Sequence, residues 1–312
     1  MIVKLHSKEE ALNFLEKTDF YDLLFLANSG RKKYKGNKIE LCAIVNAKSG
    51  ACPEDCSFCC QSLKWKTHAP VYPLMVRYEI LKKALEAKNY KVKRFSIVIS
   101  GIKPSKQEMK KIAEAIESLR KNGINSCASL GLLNYDEISY LKDYGLQRLH
   151  CNIETSEEFF PKICTTHKFS DKVKTLEAAK KAGVSICSGG VFGMGESWKD
   201  IVSMAYFLKE FNVDSVPINF LTPIKGTPLE NQPVLSPLEA LKIIAMFRLI
   251  LPEKDIRVCG GRPLLGEFSS WIFISGANAL MTGDYLTTQG RSYIDDLKFI
   301  ENHNLEIDYV VP

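Results

Sequence analysis

The chain has 312 residues, 46% hydrophobic and 25% charged, which supplies a large core and excludes a disordered chain. Its 42 Lys+Arg against 36 Asp+Glu leave a net charge of +6, but the lysines (Lys82, Lys83, Lys110, Lys111, Lys180, Lys181) are scattered over helix-like stretches, which argues against a nucleic-acid partner. No apolar run approaches the ~20 residues of a membrane span and MIVKLHSKEEALNF lacks a secretion signal's apolar core, so a cytoplasmic protein is expected, with 10 cysteines serving metal or redox chemistry rather than disulfides.

Residues 1–40 read as a short helical N-terminal extension. From residue 41 onward, β-rich runs alternate with longer amphipathic segments. The runs are LCAIVN (41–46), RFSIVIS (94–100), NSCASL (125–130), QRLHCN (147–152), VSICSG (184–189), DSVPINF (214–220), DIRVCGG (255–261) and an apolar stretch at 277–281. Between them, KQEMKKIAEAIESLRKNG repeats apolar residues at Met109, Ile112, Ile116 and Leu119, the spacing of one helix face, and Gly123 and Gly183 stand where helices should stop. Eight alternations without a long linker predict an α/β fold, a (β/α)8 TIM-type barrel over 41–312.

After the first run comes NAKSGACPEDCSFCCQS, in which Cys52, Cys56 and Cys59 form C-x3-C-x2-C. Structural zinc wants four ligands in pairs, and no matching pair follows nearby. Three thiolates on one loop suit a cubane iron–sulfur cluster with one iron left free of cysteine, where a small chelating ligand can bind and receive an electron. Pro53, Glu54 and Asp55 shape the turn, Phe58 lies between the last two cysteines, and Cys60 is too close to Cys59 to ligate beside it.

This loop resembles that of the radical S-adenosylmethionine superfamily. Together with CNIETSEEFF, TTHKFSDKVKTLEAAKKAG, CSGGVFGMGES, VPINFLTPIKGTPL and LTTQG, it is similar to the biotin synthase family over roughly residues 37–290. The resemblance implies a 4Fe–4S cluster on Cys52, Cys56 and Cys59, S-adenosyl-L-methionine on its open iron, and a 5′-deoxyadenosyl radical that opens dethiobiotin to sulfur. Cofactor contacts fall to Phe58, to the segment from Gly190 and Val191 to Glu196 against the adenine, to Asn152 and Glu154 at the ribose, and to Lys172 near the carboxylate. Glu154 stands where Asp is commoner, and Lys172 where the family usually has arginine. The substrate falls to Asn219 at the ureido ring, to Thr287 and Thr288 at the carboxylate tail, and to His150, where an asparagine is usual. A flavodoxin or ferredoxin donor, iron–sulfur assembly machinery and a homodimer are implied as well.

The family's auxiliary 2Fe–2S cluster takes three cysteines and an arginine from barrel strands. Cys127, Cys187 and Arg257 match three of those positions, but Ser96 occupies the fourth, and Cys259 appears two residues beyond Arg257. Strand parity directs Cys127, Cys187 and Cys259 inward and Cys151 outward. Three interior thiolates match a four-iron auxiliary cluster whose open iron holds an exchangeable sulfide, with Arg257 a positive neighbour; a two-iron cluster that recruits Arg257 is the second reading. Cys42 and Cys164 are expected to be small buried hydrophobes. A radical enzyme of the hydrogenase-maturation or methylornithine-synthase type is the runner-up, and an iron–sulfur or zinc protein without catalysis the third reading.

Overall fold

Two helices, α1 (Lys8–Lys17) and α2 (Phe20–Lys35), precede β1 (Lys38–Lys48) in the computed structural model, which describes residues 3 and 5–309. Residues 1, 2 and 4 of the expected extension and 310–312 of the expected barrel segment lie outside the described residues. Ser7 and Asp19 cap these helices by accepting from the amides of Glu10 and Tyr21. The chain continues through α3 (Arg77–Asn89), β2 (Arg94–Ile99), α4 (Lys106–Lys121), β3 (Asn125–Ser129), α5 (Tyr135–Asp143) and β4 (Arg148–His150). It then passes α6 (Phe169–Ala182), β5 (Ser185–Cys187), β6 (Gly190–Phe192), α7 (Trp198–Phe211), β7 (Ser215–Phe220), α8 (Pro237–Ile250), β8 (Asp255–Val258), β9 (Ala279–Met281), α9 (Tyr293–Glu301) and β10 (Glu306–Ile307).

The pairings are parallel, in the order β1-β2-β3-β4-β5-β7-β8-β9, and β9 returns to β1 with Leu280 opposite Leu41. This closes a (β/α)8 barrel with helices around it, as the eight alternations predict. Each β-rich run supplies one barrel strand, and β10 pairs parallel with the start of β1 at Lys38 and Ile39. In β1 the residues Leu41, Ala43 and Val45 are buried against the helices, while Cys42 and Ile44 face the barrel interior.

Within the glycine-rich segment, Gly190–Phe192 forms a short strand beside β7, with Val191 opposite Asn219. A Cβ on Gly189 would lie 2.0 Å from the Pro217 carbonyl oxygen, and one on Gly190 would lie 2.0 Å from that of Glu154. Only glycine lets the chain pass between these two carbonyls. The outer layer follows from amphipathic patterning: α4 buries Met109, Ile112, Ile116 and Leu119, and its first turn is closed by a reciprocal Ser105–Glu108 capping box.

Candidate active site

The cysteine loop leaves β1 at the C-terminal end of the barrel, where Gly50 and Ala51 take left-handed φ angles of 71° and 51°. Gln61 closes the loop: its side-chain oxygen accepts from Ser49 Oγ at 3.0 Å and Gly50 N at 3.1 Å, and its carbonyl accepts from Cys52 N at 3.0 Å. Trp65 donates to the Cys56 carbonyl at 3.1 Å, and the Ser57 amide donates to Ile163 O at 2.8 Å. Asp55 accepts from the amides of Thr165 and Thr166 at 2.9 and 3.2 Å. Cys52, Cys56 and Cys59 are thus free, half-buried thiols on a backbone braced from both sides. Burial pushes the Cys59 thiol up to about 12, so ligation of a metal must take its proton away.

Cys164 is buried in the hydrophobic core, as expected, but its sulfur is also engaged in polar contacts. Its Sγ lies 3.8 Å from that of Cys56 and 3.3 Å from His167 Nδ1, and these three ligand atoms lie within 4.8 Å of one another. A short 3-10 turn, Phe160–Lys162, delivers it there from a segment more than a hundred positions along the chain.

A cavity of about 330 Å3 opens beneath the loop and runs down the barrel axis. Phe58, Cys59, Asn152, Glu154 and Val191 line its upper part; His150, Asn219, Thr287 and Thr288 line the same space. Cys52, Cys56, Lys172, Gly190 and Glu196 do not line it. Glu154 has a left-handed φ of 70°, and its amide and carbonyl are clamped by Gly189 O at 3.1 Å and Val191 N at 3.0 Å. Asn152 donates to the Glu154 carboxylate at 3.3 Å and accepts from Gly189 N at 3.1 Å. Burial raises the Glu154 carboxyl above its ordinary range, while Lys172 and His150 pull the other way. Burial likewise opposes the Lys172 ammonium, but the charges of Cys151, Glu154, Cys56 and Cys164 outweigh it and hold the group above its usual value. The Glu196 carboxylate accepts from Gly193 N at 2.7 Å and Met194 N at 2.8 Å, so it fixes the glycine-rich loop.

Asn219 donates to Gly190 O at 3.0 Å and accepts from Gly260 N at 3.0 Å, which leaves its carboxamide one N–H and one lone pair for a ligand. Cys60 is buried and donates to the Thr287 hydroxyl at 3.3 Å. Tyr285, which no motif in the sequence marks, also lines the cavity, and burial pushes its phenol up to about 12.

Deeper in the barrel, Cys127, Cys187, Cys259 and Arg257 line one space with Ser96, while Cys151 faces the hydrophobic core outside. Burial raises the Cys187 thiol, but His150, opposite it on β4, together with Arg148 and Arg257, brings it down to about 7. Cys42 lines this space too, contrary to its expected role as an inert residue. Below the thiols, buried Glu40 contacts Arg257 Nη2 and lies 3.4 Å from Arg94 Nε and 3.7 Å from Arg148 Nη1. Among the described residues the last two nitrogens make no hydrogen bond, only these longer ion-pair contacts with Glu40.

The Radical SAM superfamily matches residues 47–208, and the Biotin and Thiamin Synthesis associated domain matches residues 217–306. A biotin synthase of Thermodesulfovibrio yellowstonii is 70% identical over 302 residues, 97% of this chain and 96% of that protein. A biotin synthase of Pelotomaculum thermopropionicum is 46% identical over 299 residues, 95% and 93% of the two chains. Among solved structures, a methylornithine synthase superposes with a TM-score of 0.84 at 20% identity, covering 98% of this chain and 94% of that one. An FeFe-hydrogenase maturase from Carboxydothermus hydrogenoformans gives 0.84 at 18% identity, covering 99% and 77%. Those two likenesses are of fold alone.

Proposed function

The chain belongs to the biotin synthase family of radical S-adenosylmethionine enzymes, and from that premise we propose that it makes biotin from dethiobiotin by inserting sulfur between two saturated carbons. One observation carries the reading: a loop thiol, Cys59, and the barrel thiols Cys127, Cys187 and Cys259 open on a single cavity with Asn219 and Thr287. When bound, a 4Fe–4S cluster with S-adenosyl-L-methionine supplies a hydrogen-abstracting radical, and an auxiliary iron–sulfur cluster supplies the sulfur.

Cys52, Cys56 and Cys59 would hold the first cluster, and three free thiols on a braced loop fit it. The auxiliary centre fits Cys127, Cys187 and Cys259, because Arg94 and Arg148 line the same cavity with donors not hydrogen-bonded among the described residues, which suit a sulfide-rich anion. A four-iron form with an extra sulfide is the first choice for that centre, a two-iron form the second. Asn152 and Glu154 would take the ribose hydroxyls, and Lys172 would face the cofactor carboxylate. Phe58 and the backbone at Gly190 and Val191 would pack on the adenine, while Glu196 steadies their loop. For the substrate, the free N–H and lone pair of Asn219 complement a ureido group, His150 offers a further polar contact, and Thr287 and Thr288 would hold the carboxylate tail. Ile44, Val98, Phe220, Leu221 and Met281 line the same cavity with apolar surface, which keeps water from a carbon radical. The same reading includes a flavodoxin or ferredoxin donor, supply by iron–sulfur assembly proteins, a homodimer and a cytoplasmic site of action.

Anaerobically reconstituted protein given S-adenosyl-L-methionine, a reductant and dethiobiotin should form biotin and 5′-deoxyadenosine, both read by mass spectrometry. Deoxyadenosine without biotin points to a maturase-type or methylornithine-type reaction, against which the 70% identity to a biotin synthase argues. Neither product returns the non-catalytic reading.

A further inference from the structure

Ten cysteines can be sorted by what their sulfurs already do. Three belong to the loop motif, Cys60 is engaged with Thr287, Cys164 sits against Cys56 and His167, and Cys151 faces the outer core. The other four, Cys42, Cys127, Cys187 and Cys259, line one cavity from four different walls of the barrel. Cys42 makes no side-chain hydrogen bond among the described residues, so its sulfur faces the cavity uncommitted to a polar contact.

We propose that Cys42 is a fourth thiolate ligand of the auxiliary iron–sulfur centre, and that Arg257 is a charged neighbour of that centre rather than a ligand. The inference rests on the auxiliary-centre reading given above and adds to it a residue that the family pattern does not supply.

Register places the residue. Cys42 lies opposite Met281 of β9. Val258 lies opposite Leu280, and one step further along both chains brings Cys259 to the level of Met281. Cys42 and Cys259 therefore flank Met281 at one level of the barrel, on its two sides. Ser96, where the family keeps a cysteine, pairs with Ile44 and so stands one inward-facing position above Cys42 on the neighbouring wall. The thiolate missing from β2 is thus matched by one on β1, close to where it is needed.

The arginine is committed elsewhere. Its Nη2 contacts Glu40, and its Nη1 points to Leu280 O at 3.4 Å. Ligation through nitrogen would need a deprotonated guanidinium and would leave Glu40 without its tightest partner, whereas a thiolate is the softer and more ready ligand for iron. On loading, the Cys42 thiol gives its proton to solvent and a sulfur lone pair to iron, with no change in oxidation state. Four thiolates serve a two-iron centre at two per iron or a four-iron centre at one per iron. Ligand count alone then stops favouring the four-iron form.

The experiment uses the full chain, reconstituted anaerobically, as wild type, Cys42→Ala, Cys42→Ser and Cys151→Ala. Iron and acid-labile sulfide per chain, Mössbauer spectra and 5′-deoxyadenosine formation are measured on each. Both Cys42 variants should lose the auxiliary signal with its iron and sulfide and keep deoxyadenosine formation, which also reports that they are folded. Cys151→Ala should keep both clusters. Auxiliary iron retained in Cys42→Ser and Cys42→Ala overturns the assignment of Cys42 and leaves the proposed function standing. A wild-type protein with only the loop cluster overturns the auxiliary-centre reading itself. Arg257→Met supplies an independent arm: loss of auxiliary iron there, with retention in Cys42→Ser, returns the ligand role to the arginine.

Discussion

Cys59 and Cys60 are adjacent in sequence and opposite in consequence. On the proposed function Cys59 belongs to a set in which each thiol would be one of three protein ligands to a cluster, so Cys56→Ala, Cys52→Ala and Cys59→Ala should each abolish reductive cleavage of S-adenosyl-L-methionine. Cys60→Ala, which removes a bond to Thr287, should leave cleavage near wild type; formation of deoxyadenosine under reductant reads both. Asn219→Ala removes a carboxamide that the substrate would pair with, and should weaken dethiobiotin binding by about 1–3 kcal/mol while the affinity for S-adenosyl-L-methionine holds. Titration calorimetry of each ligand separates the two, and equal losses would mean the residue is misplaced. Motif residues were legible because chemistry demands their types at fixed spacing. Cys42 was not, because LCAIVN is buried on both faces, as barrel strands are, and its apolar residues fall on both parities. Cys164 was not legible either, since only tertiary folding brings it to Cys56.

The helix–strand alternation was readable because the two periods differ, and α4 shows it best, with cap, apolar face and glycine stop in sequence order. The short strand Gly190–Phe192 was not, because its glycines signal a turn until the carbonyls that they pass are in place. Packing between elements adds ties that no pattern reveals. Lys35 at the end of α2 pairs with Asp255 at the start of β8 at 2.9 Å, and Asn278 donates to the same carboxylate at 2.9 Å. Burial would raise the Asp255 carboxyl, but Lys35, Arg257 and Asn278 outweigh it and hold it well below the usual carboxylate range. A carboxyl depressed in the folded state stabilises above its unfolded pKa of about 4, and this contribution fades as pH falls through the folded value. Asp255→Asn should therefore cost about 1.5–3 kcal/mol at pH 7 and progressively less in acid. Urea unfolding at a series of pH values reads this, and a penalty independent of pH would refute it.

At the scale of the whole molecule, the helical N-terminal segment is joined to the barrel by α2 packing on α8, and one buried side chain of α8 ties that helix to the turns flanking β8. Arg248 of α8 is fully buried and donates to Gly276 O at 2.8 Å, Pro252 O at 2.9 Å, Lys254 O at 2.8 Å and Asn278 Oδ1 at 2.6 Å. Arg248→Met leaves several of these acceptors dry and should destabilise the fold by about 3 kcal/mol or more, seen as a lower midpoint in thermal unfolding. The closed barrel also sets a timetable for maturation. Cys52, Cys56 and Cys59 are neighbours in the chain, so a nascent or partly folded protein can already gather them. Cys42, Cys127, Cys187 and Cys259 come together only after strands far apart in sequence have met, a step that waits on long loop closures. On the proposed function the loop could thus receive its iron early, while an auxiliary centre in the barrel would be filled last, through a mouth that the loop itself partly covers.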